Sequence, residues 1–366
     1  MKIVFRCDAS IQMGTGHVMR CLTLADALAE QGAECHFICR EHSGHLLDMI
    51  RQRGHIGYGL PLKNELHPDD KSEPRLAHAN WLGGTQWHDA ELCSEILKTV
   101  QPDWLVVDHY ALDIRWESQL RPYCKKLMVI DDLADRQHDC DILLDQTFGR
   151  DPHDYLQWTP AGCQLLCGSH YALLRPEFAQ WRECSLKRRE SGQLKHVLVN
   201  LGGVDKDNLT TQLLKALQKT SLPSDCKITV VMGSTAPWVD AVEEQAALMQ
   251  WPTEVKRGVS NMAELMANSD LAIGAAGSTS WERCCLGLPS IILCTAENQI
   301  KVIDMLTEAG VSVLLLPEEI EDHSSKSLNS KLMIINSKLS EFISNSIKVS
   351  DGLGSYNVVH AIVESR

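Results

Sequence analysis

Ile3-Val4-Phe5-Arg6-Cys7-Asp8-Ala9-Ser10-Ile11-Gln12-Met13-Gly14-Thr15-Gly16-His17 joins an apolar run to a helical pattern that starts near Val18. Val18, Cys21, Leu22, Ala25, Leu28 and Ala29 recur at helical spacing, and Gly32 supplies a stop. A strand, a glycine-rich turn and a helix in that order mark the ligand-binding turn of a parallel α/β domain. Gly14 and Gly16 let the backbone turn tightly and approach a ligand closely. A dinucleotide fingerprint does not follow, because Met19 stands where the third glycine belongs and the second strand ends in Arg40 rather than an acid. What the turn carries instead is His17 at a helix start, a candidate general base that could also be a simple cap or a solvent-facing side chain.

The strand-helix alternation continues through Glu34–Cys39, Trp104–Asp108, Leu127–Ile130, Ile142–Leu144 and Gln164–Leu166, which points to a doubly wound α/β sheet. Between them, Pro61 to Thr85 is polar, has no sustained period and reads as a surface excursion. The charged segment Lys187 to Gln193 reads as a hinge, after which His196–Leu201 begins the pattern again. The expected domains are 1–190, carrying the base, 191–350, and a terminal segment 351–366 that crosses back. A polar tail covers Glu318 to Ser350, with a helix expected at Lys331 to Ile343.

The chain has 366 residues, 44% of them hydrophobic, enough for two ordinary cores. No run reaches the roughly 18–20 apolar residues of a membrane span, and the first residues lack a signal-peptide pattern, so a cytoplasmic protein without a membrane partner is expected. A formal net charge of −13 argues against nucleic acid as a partner. The fourteen cysteines are scattered through strands and helices and read as reduced core residues. Cys35, Cys39, His42 and His45 are the best case for a metal, yet no second ligand pair follows, and neither metal nor cofactor is expected. The chain is expected to be a monomer.

The second half holds Gly277-Ser278-Thr279-Ser280-Trp281-Glu282, followed four residues later by Gly287-Leu288-Pro289. Small residues at a helix start leave backbone N–H groups for a phosphate. Ser278 and Thr279 add hydroxyls, and Glu282 can accept both hydroxyls of a ribose. The competing reading is a capping box, with Glu282 three residues after Thr279. Asp108-His109-Tyr110 ends a strand at the edge where His17 lies, bringing the Tyr110 hydroxyl near, although Tyr110 as a packing residue stays open.

Phe5-Arg6-x-Asp8, Gly14-x-Gly16-His17, Asp108-His109-Tyr110, Tyr171-Ala172-Leu173-Leu174-Arg175 and Gly202-Gly203-x-Asp205 together resemble the UDP-sugar hydrolases of pseudaminic acid biosynthesis. The resemblance runs to about residue 316 and weakly into Asp351-Gly352. The Ser278 to Pro289 motif resembles a wider glycosyltransferase-B group that includes the peptidoglycan N-acetylglucosaminyltransferase. The resemblance implies two Rossmann-like domains facing a cleft, and hydrolysis of UDP-2,4-diacetamido-2,4,6-trideoxy-β-L-altrose to UDP and the free sugar. It makes His17 the base and Tyr110 its active-site neighbour, and gives Thr279 and Glu282 to diphosphate and ribose. Asn298 and Gln299 resemble a sugar-contacting pair of the transferases, although that pair is Gln-Gln there.

A phosphate leaving group needs charge stabilisation more than a proton, so one base activating water suffices for an inverting displacement. Two rivals stand beside this reading: a glycosyltransferase on the same scaffold, and a non-catalytic nucleotide-sugar binding protein.

Overall fold

The computed structural model describes residues 1–62, 76–234, 236–295, 299–321 and 325–365. Much of the Pro61 to Thr85 excursion and the candidate Asn298 lie outside the described residues. The chain forms two compact units, Met1–Leu173 with Gly354–Arg366, and Leu174–Leu353.

The first unit begins with β1 (Lys2–Cys7), α1 (Gly16–Glu30), β2 (Glu34–Arg40), α2 (Leu47–Gln52) and β3 (Ile56–Leu60). It continues with α3 (Gln86–Val100), β4 (Trp104–Asp108), α4 (Ile114–Leu120), β5 (Lys126–Ile130), β6 (Ile142–Asp145) and β7 (Gln164–Cys167). Among the described residues these strands make one parallel sheet, ordered β3-β2-β1-β4-β5-β6-β7. With helices on both faces, the central strand β1 is apolar on both sides. Ile3 and Phe5 pack with Val18, Cys21 and Leu22 of α1, whereas Val4 packs with Leu97 of α3 and Trp116 of α4.

Arg6 lies on the Val4 side and is fully buried. Its guanidinium donates from Nε and Nη2 to the two oxygens of Asp89, at 3.0 and 2.7 Å, and from Nη1 to Asp8 Oδ1 at 2.6 Å. Asp89 also accepts from Arg40 Nη2 at 2.5 Å and from the Trp116 indole at 3.0 Å. Two buried cations thus meet two buried anions. Burial alone would raise the Asp8 carboxyl, but Arg6 and His109 outweigh it and hold it far below the usual range.

The second unit contains α5 (Pro176–Arg189), β8 (His196–Asn200), α6 (Leu209–Leu217), β9 (Lys227–Met232), α7 (Val239–Ala247), β10 (Thr253–Arg257), α8 (Met262–Ala267) and β11 (Leu271–Ala275). It is completed by α9 (Ser278–Cys285), β12 (Ser290–Leu293), α10 (Ile300–Glu308), β13 (Ser312–Leu315), α11 (Pro317–Glu321), α12 (Lys326–Ser337) and α13 (Leu339–Ser346). Its described strands form a parallel sheet ordered β10-β9-β8-β11-β12-β13, the same winding as the first. A last helix, α14 (Gly354–Glu364), packs on α1 of the first unit, where Val358 and Ile362 join its core.

Three features depart from the sequence reading. Strands β3 and β10 were not expected; both are sheet edges, half-exposed and without a continuous apolar run. Among the described residues the polar tail holds three helices, α11, α12 and α13, where one was expected, and Leu328, Leu332, Ile335, Leu339 and Phe342 bury one stripe against the second core. The segment read as a hinge begins inside α5 and is tied down. Arg188 Nη1 donates to Asp270 Oδ1 at 2.5 Å, and Arg189 Nη2 donates to the carbonyls of Met266 and Ser269 at 2.8 and 2.7 Å. Among the described residues no helix is long and apolar enough to cross a membrane.

Removing one member of the Arg6–Asp8–Asp89–Arg40 cluster strands a buried charge. Asp89→Ala is expected to cost about 3–5 kcal/mol, read as a lower urea midpoint in equilibrium unfolding. A loss below about 1 kcal/mol would mean that the cluster is dispensable.

Candidate active site

In each sheet the winding reverses beside the first strand, between β1 and β4 in one and between β8 and β11 in the other. Ligands of such sheets bind at the strand C-terminal ends beside this reversal. Cys7 at the end of β1 pairs in register with Asp108 at the end of β4. The turn leaving β1 is closed by mutual hydrogen bonds between Ser10 and Gly14, with Gly14 at φ +82°, and returns His17 to the first turn of α1.

His17 is 7% exposed, and its Nδ1 lies 2.6 Å from Asp108 Oδ1. Arg20, one turn further along α1, donates from Nε to Asp108 Oδ2 at 2.6 Å and from Nη2 to Asp108 Oδ1 at 2.7 Å. Burial would raise the Asp108 carboxyl, but Arg20 first and His17 second hold it well below the ordinary range. Asp108 is therefore an anion placed to accept a proton from Nδ1, the arrangement that turns the lone pair to Nε2.

Arg20 Nη1 also reaches Asp132 Oδ2 at 2.6 Å, and the same oxygen accepts the Tyr110 hydroxyl at 2.7 Å. Burial, then Asp132, raise the Tyr110 phenol well above its ordinary value. Its proton is committed to Asp132, so towards a ligand Tyr110 offers an oxygen lone pair. The rings of His17 and Tyr110 meet edge to face at 4.6 Å. The sequence reading names Asp108 within its motif but gives it no role, and it does not single out Arg20 or Asp132. A trace of them lay in the three-residue spacing of His17 and Arg20 and in the Asp131-Asp132 pair ending β5. Within Asp108-His109-Tyr110, His109 faces away: its Nδ1 accepts the Ala111 N–H at 3.0 Å and its Nε2 lies 3.2 Å from Asp8 Oδ2.

In the second unit, β11 runs into a turn that ends at Gly277, whose φ of +141° is open to glycine alone among common residues. A Cβ at Gly274 would stand 2.5 Å from the Asn200 carbonyl and 2.7 Å from Arg283 Nη1, so glycine is required there. Helix α9 starts at Ser278, and Gly277 is its cap; Glu282 therefore lies past the third helical position, and a Thr279–Glu282 capping box is not formed. Gly277 and Ser278 are exposed and Thr279 half-buried. Beneath them Arg283 Nη2 donates to the Ala275 carbonyl at 2.8 Å and to Ser280 Oγ at 3.1 Å. Burial lowers Arg283 to about 10, which leaves it a cation at neutral pH, adding to the positive end of α9. Burial pushes Glu282 up to about 7, against the pull of Arg175 and Arg283.

The candidate Gln299, and Asp205 of the Gly202-Gly203-x-Asp205 motif, are used internally. Gln299 Oε1 accepts from the Thr295 N–H and hydroxyl at 3.0 and 3.1 Å. Asp205 accepts from the N–H groups of Leu209 and Thr210 at 2.9 and 3.0 Å, capping α6.

No family model matches the chain. It is 27% identical over 317 residues, 86% of its length and 98% of the relative's, to a Campylobacter jejuni protein named UDP-2,4-diacetamido-2,4,6-trideoxy-beta-L-altropyranose hydrolase. It is 25% identical over 308 residues to an uncharacterized Methanocaldococcus jannaschii protein, MJ1062, covering 83% of this chain but 58% of that longer relative. Among solved structures, Acinetobacter baumannii MurG superposes with a TM-score of 0.69 at 15% identity over the whole of both chains. The calicheamicin glycosyltransferase CalG4 gives 0.63 at 13% identity over 99% of this chain and 97% of its own. The two parallel Rossmann-like sheets are those of the glycosyltransferase-B fold, and the chain is a distant homologue of a protein named as a UDP-sugar hydrolase.

Proposed function

We propose that this protein hydrolyses UDP-2,4-diacetamido-2,4,6-trideoxy-β-L-altrose to UDP and the free sugar, with His17 as general base. The observation that carries the reading is the 2.6 Å contact of His17 Nδ1 with an Asp108 that Arg20 holds from a second side. A base oriented in this way takes a proton from water at Nε2. The water oxygen bonds to the anomeric carbon as the bond to the β-phosphate oxygen breaks, its electron pair leaving with UDP. The configuration inverts, and the proton then passes from His17 to solvent. Tyr110, with its proton given to Asp132, accepts a hydrogen bond from the water or a sugar group.

The UDP is assigned to the second unit. Its diphosphate takes the first N–H groups of α9 with Ser278 and Thr279, beside the buried Arg283 cation, and its ribose hydroxyls donate to Glu282. Gly14 and Gly16 keep the base turn open, and the step calls for no metal. The relative's name favours water over another acceptor.

The test is product analysis by NMR with the UDP-sugar as sole substrate in a chelating buffer. UDP and an inverted free sugar are expected in equal amounts. No release without an added acceptor would instead make the protein a transferase. His17→Asn is expected to lower kcat by roughly 10²–10⁴-fold with UDP affinity unchanged; unchanged turnover would remove His17 from the chemistry.

Asp108→Asn is expected to lower kcat by about 10³–10⁴-fold, because the ring loses the anion that selects its tautomer. UDP affinity and thermal midpoint serve as controls, and a loss below about tenfold would contradict the orienting role.

Glu282 supplies a pH signature. Its folded value of about 7 is raised, so the protonated form favours folding, and its contribution falls as pH rises from the unfolded value through about 7. Ribose hydroxyls prefer the anion, so uridine affinity is expected to rise about tenfold between about pH 6 and 8, and to be flat in Glu282→Gln. Uridine is the probe because it has no phosphate to titrate. An equal rise in both proteins would assign the effect elsewhere.

A further inference from the structure

The short helical turn Ala79–Leu82 precedes α3 and belongs to no step described above. It carries His78 and Trp81, both half-buried, over the base. The Trp81 ring lies 5.9 Å from that of Tyr110 at an interplanar angle of 29°, and 6.2 Å from that of His17, edge on. His78 leans against both, 4.4 Å from Trp81 and 5.4 Å from Tyr110. Burial lowers the His78 imidazole, against the pull of Asp135 and with Arg136 and His17 adding to the fall.

The turn is held firmly from behind. Leu82 is 1% exposed and packs in the core shared by Leu60, Ala90 and Cys93. Gly83 is at φ +67°, where a Cβ would come within 2.9 Å of His42 and 3.1 Å of Arg40. The Thr85 hydroxyl then accepts the His88 N–H at 3.0 Å to cap α3. A large aromatic surface is thus fixed beside the His17 imidazole. A flat aromatic face suits C–H and methyl groups, and a sugar that replaces hydroxyls by methyl and acetamido methyl groups offers it more apolar surface.

We infer that Trp81, with His78, forms the wall of a sugar subsite that takes the apolar edge of a 6-deoxy, N-acetylated pyranose and so sets which nucleotide sugar is hydrolysed. The inference rests on the function proposed above and adds to it a specificity-determining pair of residues outside the base and its supports. The C6 methyl and the acetamido methyl groups lie against the two rings, while C1 faces His17.

The experiment compares wild type, Trp81→Ala and Trp81→Phe with the diacetamido UDP-sugar and with UDP-N-acetylglucosamine, which carries a hydroxymethyl group at C5. Trp81→Ala is expected to raise KM for the first about tenfold and to narrow the preference over the second by a similar factor. Trp81→Phe should retain most of both, and the pH profile of kcat should not move. Unchanged KM and preference in Trp81→Ala would overturn the subsite. A fall in kcat alone, with a shifted pH profile, would also overturn it and make Trp81 a support of Tyr110 and His17.

Saturation-transfer NMR with the free diacetamido sugar keeps this test separate from the proposed function. If wild type turns over no UDP-sugar, the function fails; transfer to the sugar methyls that is lost in Trp81→Ala still upholds the subsite, and absence of transfer in wild type removes it.

Discussion

Arg20 is the interaction on which the first switch point depends. One guanidinium grips Asp108 from two nitrogens and Asp132 from a third, and these carboxylates in turn hold His17 and Tyr110. With one cation between two anions, the group carries one surplus negative charge. A protonated His17 would cancel it. On the proposed reading, the surroundings are arranged for the moment when the base has taken its proton, which is when stabilisation accelerates a reaction. Because Arg20 and His17 share one helix turn and Asp108 is locked in register beside Cys7, little reorganisation is needed to reach that state.

The buried charges below serve a different end. Arg6, Asp8, Asp89 and Arg40 pair with one another and link β1, β2 and α3 just beneath the glycine turn. Asp8 Oδ1 also accepts the Arg40 backbone N–H at 2.6 Å, so the start of the turn is fastened to the neighbouring strand. The second unit repeats the winding without repeating this chemistry: its switch point presents glycines, hydroxyls and a helix start. On the proposed reading, one winding supports a proton acceptor in one unit and an anion site in the other.

Much of this was legible in the sequence, and the limits have physical causes. Buried parallel strands such as Trp104–Asp108 and His196–Asn200 are apolar on both faces and announce themselves. The edge strands Ile56–Leu60 and Thr253–Arg257 lack one neighbour, mix polar with apolar residues, and read as loops. The tail helices were legible in the spacing of Leu328, Leu332, Ile335, Leu339 and Phe342, but the abundance of Ser and Lys around it obscured the stripe. At the site, the glycine turn, His17 and Tyr110 could be picked out from motif and strand ends. The roles of Asp108, Arg20 and Asp132 could not, because they arise from contacts 88 and 112 residues apart along the chain. Trp81 lay in a stretch without periodicity, where composition gives no hint that its ring comes to rest on Tyr110.

The central claim is that Asp108 fixes His17 with its proton on Nδ1 and its lone pair on Nε2. Long-range nitrogen–proton correlation NMR of histidine-labelled protein reads this tautomer directly at a pH where the ring is neutral. The account predicts that His17 is wholly in the Nδ1–H form and that Asp108→Asn shifts the population towards Nε2–H. A wild-type His17 protonated on Nε2 would contradict it.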